Sequence, residues 1–532
     1  MLKANIDVRD LTKCHPTIVG GRIVFGRSEI APFKTNHLQS VLIRGMNRWF
    51  FVVWEPSFKD DGWELTGDEY GQEFDDEHYT RMYEAAVSAA SNFVLVEVVR
   101  DGYSARLRVL SGLGGVAPLY ASVAAFRVTL SWDFADLVSR GLHAIDFEVA
   151  AHLLSLRTIY SRRQICTGIS MLTERSSLYV DSDGEVSFVY PPAANAVSPS
   201  PVCDGIDLVA SFRDLIEHAV SARGLSSSAC ALELSGGMDS AAVACAAAYS
   251  GLQSVRSWGI ILADHHRDAQ SRRRAAIVAK LGLVDKCVDV AAFMPDVVPD
   301  ASSRPLEHPL GELYLEAFNA LWVSARDAGC DAVLSGIGGD ELFPLFDVDD
   351  GLSTTIVGGR MAAVSELAMS ILTPRAAEVA RQAPMFSAPN GSLPRTDLLA
   401  HVCRSPYLLR HGLWPINLLC SPHLVAFCHR LPLPYRTERA LLRDYLCQKL
   451  GEDLFPVNYE KETFDRVLPE MISLRRREIL ASLSECALAD FGLVKADRVR
   501  TLVSRVAETQ DILSTAPLAF LLSLERFVRQ IN

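Results

Sequence analysis

The 532 residues exceed what one hydrophobic core usually serves, so two or more domains are expected. With 49% apolar and 22% charged residues, the composition is that of a chain that folds throughout, which excludes extended disorder. A formal charge of −12 excludes nucleic-acid binding by phosphate neutralisation, yet leaves room for a local nucleotide pocket whose charge Mg²⁺ and backbone amides would meet. Met1 to Asp7 lacks the basic-then-apolar layout of a secretory signal, and no apolar stretch reaches membrane-spanning length. A cytoplasmic protein with no membrane partner is therefore expected. The 12 cysteines form no Cys-x-x-Cys pair. Cys420, His423, Cys428 and His429 cluster on an apolar helical pattern over 422–431, where packing is favoured over a metal site.

Up to Tyr190, short β-like runs (40–44, 92–100 and 126–132) alternate with turns rich in Gly and Asp, predicting a sheet-rich domain over residues 1–190. Residues 191–205, with four prolines between Pro191 and Pro201 and no periodicity, have the composition of a linker. Residues 206–532 form the second domain. It opens with helical spacing over 206–222, a buried strand at 229–234, a small-residue helix over 239–249, a strand at 255–262 and a helix near 271–281. Such alternation predicts an α/β fold, a parallel sheet with helices on its faces. From Asp397 onward the runs are helical, with few strand signals.

The segment Leu234-Ser-Gly-Gly-Met-Asp-Ser240 lies where a buried strand passes into a helix. Two glycines allow a tight turn that brings amide N–H groups to an anion, and the helix N-terminus adds its positive dipole end. Ser235 and Ser240 add hydroxyls, and Asp239 is an acid suited to a Mg²⁺ that bridges phosphates. A glycine turn capping the helix would use the same residue types. A second segment, Val333-Leu-Ser-Gly-Ile-Gly-Gly-Asp-Glu-Leu-Phe343, brings another acid, Asp340, and a third, Glu460-Lys-Glu-Thr-Phe464, brings Lys461. No Gly-x-x-x-x-Gly-Lys-Ser/Thr loop of the kinase and GTPase kind is present.

Ser-Gly-Gly-x-Asp-Ser resembles the signature of the ATP pyrophosphatases, and the second and third segments are similar to those of asparagine synthetases. The resemblance implies a second domain of the adenine nucleotide α-hydrolase-like kind that activates a carboxylate as an acyl-adenylate with ATP and Mg²⁺. It places Leu234, Ser235, Gly236, Gly237, Asp239, Ser240, Ile260, Ser335 and Gly336 at the nucleotide, Asp239 and Asp340 at the metal, and Lys461 at the phosphates and reacting centre. Arg439 and Arg443 resemble a family Lys-x-x-Leu-Arg segment, although a basic helical face explains them equally well. Residues 167–172 and 178–184 are similar to the end of the family's glutaminase domain, an Ntn-hydrolase-like fold. Its catalytic cysteine has no counterpart here, because residue 2 is Leu, and Cys14 reads as ordinary; the domain is expected to be degenerate.

Relatives that lack this cysteine include β-lactam synthetases and the macrolactam synthetases of lasso peptides, both of which close rings. Ile337 stands where β-lactam synthetases carry tyrosine and asparagine synthetases glutamate, and it can take no proton. That departure favours the peptide-cyclising branch, with ammonia- or amine-dependent amidation of a small molecule and a non-catalytic nucleotide-binding regulator as alternatives. Glu307 and Glu312 are candidate bases, although a solvated loop and helix start is the favoured reading for them. Expected partners are a small peptide or small-molecule carboxylate and a leader-peptide-binding protein or peptidase of the same pathway.

Overall fold

A computed structural model describes residues 1–56, 73–89, 92–138, 143–195, 197–226, 228–252, 255–263, 265–343, 363–382, 384–456, 459 and 461–532. The first part of the chain builds two seven-stranded sheets. One runs in the order Ile169–Leu172, Leu119–Ala124, Arg127–Ser131, Leu2–Asp7, Ser28–Pro32, Arg22–Phe25, Thr17–Val19. The other runs Val186–Val189, Ser177–Asp181, Ser104–Ser111, Phe93–Asp101, Arg48–Trp54, Gln39–Gly45, Glu73–Phe74. The period of two along a strand decides what each face meets. In Arg48–Trp54, the side chains of Trp49, Phe51 and Val53 share one core with Leu2, Ala4 and Ile6 of the opposite sheet. Phe50, Val52 and Trp54, on the other face, pack with Tyr79 and Ala86 of the helix Asp76–Ala89. The sheets thus stack, with Phe25 and Trp49 in edge contact at 5.2 Å.

The second part carries a parallel five-stranded sheet in the order Val284–Asp289, Arg256–Ile261, Cys230–Glu233, Ala332–Ser335, Trp414–Asn417. Four of its strands are buried on both faces, whereas the edge strand Val284–Asp289 is largely exposed. Cys230, Leu232 and Leu334 join the core that holds the helix Met238–Tyr249, while Ala231, Trp258 and Val333 pack with Leu315, Leu321 and Trp322 of the helix Leu315–Asp327. The chain enters at the central strand, adds two strands on one side and then crosses to the other. This leaves a topological switch point between Cys230–Glu233 and Ala332–Ser335, where the loops leaving the two strands diverge and open a crevice at their carboxyl ends.

The α/β reading and the parallel sheet hold, with one correction. The C-terminal part is not only helical, because Trp414–Asn417 completes the sheet as an edge strand. Four residues that include Pro415 carry little strand signal, and an edge tolerates the missing N–H. Residues 191–205 form no helix or strand among those described, but they are tethered: Ala194 N–H donates to the Asn390 carbonyl (2.7 Å) and Ser200 N–H to that of Arg430 (2.8 Å). The two parts are also bolted together. Arg410 grips Asp133 through two bonds of 2.7 Å, and Arg223 reaches the buried Glu55 at 3.1 Å.

Candidate functional site

The loop after the central strand turns at Gly236, whose φ of +94° suits glycine alone at little cost. Ser240 then closes it: its hydroxyl donates to the Gly237 carbonyl (3.0 Å), accepts from Ser235 N–H (3.2 Å) and meets the Ser235 hydroxyl at 3.0 Å. Gly237 is the N-cap of Met238–Tyr249 and supplies no side chain to it, so the first-turn N–H groups have no side-chain cap. An uncapped, positively polarised helix end is thus presented at the switch point.

The loop after Ala332–Ser335 comes against it at van der Waals limits. A Cβ on Gly336 would stand 2.9 Å from Ser240 N, and one on Gly339 only 2.1 Å from Asp239 Oδ1. Gly338 has φ +102° and faces Cys420. The glycines of the second segment therefore make room for the first. In this fit Asp239 and Asp340 converge on one guanidinium. Arg439 Nη1 donates to Asp239 Oδ1 (2.6 Å), and Nη2 bonds Asp340 Oδ1. Lys461 Nζ adds bonds of 2.8 and 2.7 Å to the two oxygens of Asp340.

The two carboxylates differ in character. Burial raises the pKa of Asp239 against the pull of Arg439. Asp340 is also penalised by burial, but Lys461 and Arg439 outweigh this and hold it below the usual carboxylate range. Arg439 is 3% exposed and has a left-handed backbone at φ +60°, as does Glu438 at +51°. Such strain in two adjacent non-glycine residues marks a position held by its surroundings. The sequence left Arg439 and Arg443 equivalent, whereas the structure separates them. Arg443 instead donates to the Glu438 carbonyl (2.8 Å).

A cavity of about 310 Å³ opens over these groups, and every described residue lining it lies between Glu233 and Phe464. Leu234, Ser235, Gly237, Asp239, Ser240, Gly336, Ile337, Asp340 and Lys461 line it, most of them polar. Ile260, Trp258, Phe318, Leu321 and Phe464 form an apolar slot. Size and lining suit a nucleotide: an apolar cluster beside convergent polar groups. Gly236 and Ser335 do not line it. The Ser335 hydroxyl instead donates to Asn417 Oδ1 (2.6 Å) and accepts from Ile337 N–H (3.3 Å), holding the second loop from behind.

Glu307 and Glu312 do not line this cavity, which removes both as candidate bases, although neither stands in the solvated loop favoured for them. They line a separate hollow of about 40 Å³, where Glu307 lies 3.8 Å from Arg304 and Glu312 lies 3.5 Å from Arg404. Cys428 is in the core, Cys420 donates to the Ile337 carbonyl (3.5 Å) and His423 is exposed. Among the described residues no group of three His, Cys, Asp or Glu is arranged to hold a metal.

Sequence reasoning missed Gln270. Only 3% exposed, it donates to the carbonyls of Ser235 and Ile260 (3.0 Å each) and accepts from Leu262 N–H (2.9 Å), clamping the first loop to the end of the neighbouring strand. It also missed Asp397. This carboxyl is 1% exposed and is pushed up to about 8 by burial and by neighbouring Glu341. Both sit on helices in sequence contexts that would pass for surface or core, so no local signal marks them.

Asp239 and Asp340 are the residues that would hold Mg²⁺. Two carboxylates from separate loops, completed by phosphates and water, fit the way this ion is bound, although here both face Arg439. Comparison with curated proteins found no match to the chain. Residues 211–347 match the family model described as asparagine synthase, a span that contains both loops. The match supports an asparagine synthetase-like family and, in general terms, an ATP-dependent amidotransferase-like ligase.

Proposed function

We propose that the protein is an ATP- and Mg²⁺-dependent, AMP-forming carbon–nitrogen ligase that adenylates a carboxylate and lets an amine of the same molecule attack it. Macrolactam formation in a lasso-type peptide is the reading favoured by Ile337. The observation that carries the ligase reading is the interlock of the two glycine loops, which sets an uncapped helix N-terminus, two carboxylates, a buried arginine and Lys461 around one cavity.

In this reading the triphosphate end of ATP lies on the first-turn amides of Met238–Tyr249 and on Ser235, with the purine in the slot beside Ile260. Magnesium on Asp239 and Asp340 would screen the phosphate charge. The substrate carboxylate attacks the α-phosphorus, and the bond to pyrophosphate breaks. Lys461 and Arg439 meet the charge that develops on the leaving oxygens. The amine then adds to the acyl carbon, AMP leaves with the former carboxylate oxygen, and the proton lost from the amine is released to solvent with it. Ile337 borders the cavity with an apolar side chain and takes no proton, so it helps only by excluding water.

The test is to incubate the protein with Mg·ATP and candidate peptides bearing ¹⁸O in their carboxylates. Label in AMP and a product lighter by one water support macrolactam formation. Label in AMP with intermolecular coupling to an added amine would leave adenylation standing and reject ring closure.

A further inference from the structure

Lys461 lies in a segment without helix or strand, and its own ion pair does not explain why it stays over the cavity. Asp340 is 56% exposed and Lys461 37%, and pairs this wet contribute little to holding a chain in place. The adjacent side chain makes the firmer attachment. Glu462, 6% exposed, bonds the guanidinium of Arg273 on the helix Arg267–Leu281 and accepts from the Tyr459 hydroxyl (3.0 Å). Arg273 is 14% exposed and lies over the rings of Tyr459 (4.5 Å) and Phe455 (5.8 Å). A Cβ on Gly237 would stand 3.7 Å from the Tyr459 hydroxyl, so this cluster rests on the first loop. The same helix carries Gln270, which clamps that loop by its backbone.

We infer that Arg273 and Glu462 form a latch that positions Lys461 against Asp340, making both positioning residues rather than catalytic ones. Neutralising one partner of so dry a pair strands the other charge, and the segment then has only its exposed contacts. What the latch serves rests on the proposed ATP reading; the latch itself does not.

The experiment is trace acetylation of the full-length protein with acetic anhydride, following each lysine by mass spectrometry, with and without Mg·ATP. In the native protein Lys461 should react more slowly than exposed Lys495. Glu462→Gln and Arg273→Gln should each raise the Lys461 rate about tenfold while other lysines keep theirs. The double exchange Arg273→Glu with Glu462→Arg should restore slow labelling, which mere loss of structure would not allow. A Lys461 rate within about twofold of native in both single variants overturns the latch. If Glu462→Gln loosens all lysines together, Tyr459→Phe decides: a selective rise at Lys461 supports the latch and none overturns it. Slow labelling that Mg·ATP does not slow further would overturn the ATP reading and leave the latch standing.

Discussion

The stacked sheets and the parallel sheet use the same physics of burial, yet the cavity bordered by both glycine loops lies at the parallel sheet. In the stacked sheets nearly all neighbouring strands run antiparallel, so chain ends and turns are shared between both rims, and no pair of loops is driven to converge. In the parallel sheet all strand exits lie at one rim. The crossing from Val284–Asp289 to Ala332–Ser335 opens a gap there, into which two glycine-rich loops fit. Function gathers where topology leaves a crevice, and the other unit contributes support: Arg410–Asp133, Arg223–Glu55 and the Ser405 hydroxyl bonded to the Val116 carbonyl (2.6 Å).

The largest effect is expected where the loops touch. Asp239→Asn and Asp340→Asn should each abolish substrate-dependent pyrophosphate release, because each removes a carboxylate proposed to hold Mg²⁺; both should keep the fold by circular dichroism, with Asp239→Asn the less stable because it strands the buried Arg439. Gly339→Ala should do the same by geometry, since its Cβ would displace the Asp239 carboxylate. Full activity in any of the three would break the assignment of chemistry to this crevice.

Lys461 and Arg439 sharpen the contrast between action and support. Lys461→Ala should lower turnover on the order of a hundredfold with little change in ATP binding or melting, since its ion pair is half exposed. Arg439→Ala should also cost stability, roughly 3–5 kcal/mol, because Asp239 would remain buried without its partner. Denaturant unfolding beside steady-state kinetics separates the two; equal stability loss in both variants would place Lys461 among the supports.

An acid titration addresses the junction between the units. His308 is half-buried against Tyr120 and Phe134, and desolvation pushes its imidazole down to about 3; His401, 1% exposed, is likewise pushed down to about 4. Both are lowered relative to the unfolded chain, whose histidines bind protons first. Their contribution to stability is therefore fully present above about pH 6.5 and is lost as the pH drops toward about 3 for His308 and about 4 for His401. Melting curves between pH 7 and 4.5 should show the fall, and His308→Leu should flatten it.

The sequence made the polar lining of the cavity legible and left its frame obscure, for one physical reason. Asp239, Asp340 and Ser240 stand in segments whose glycines are required by close approach, and such requirements leave a local signature. Gln270, Arg273, Asp397 and the pairing of Arg439 depend on contacts between residues tens to hundreds of positions apart, which a helical periodicity does not record. The strands 40–44, 92–100 and 229–234 were readable because apolar runs bounded by turns identify them. Trp414–Asn417 was not, being four residues long with a proline inside it.

The smallest effect is expected at Cys14, the thiol nearest in sequence to where the resembling family keeps its nucleophile. Cys14 is half-buried beside the stacked sheets, and its carbonyl, rather than its sulfur, is engaged by Arg100. None of the described residues lining the cavity over the two glycine loops comes from this unit. Replacing sulfur with oxygen there changes size and polarity only slightly at a site that is not fully packed, so Cys14→Ser should shift stability by less than about 0.5 kcal/mol. ATP-dependent product formation with an amine-bearing substrate should be unchanged, since adenylation needs no thiol from the stacked sheets. The measurement is AMP release by the variant and the native protein side by side under reducing conditions. A drop beyond about tenfold, with melting unchanged, would mean that the stacked sheets supply a reacting group after all, and the division of labour between the two units would fail.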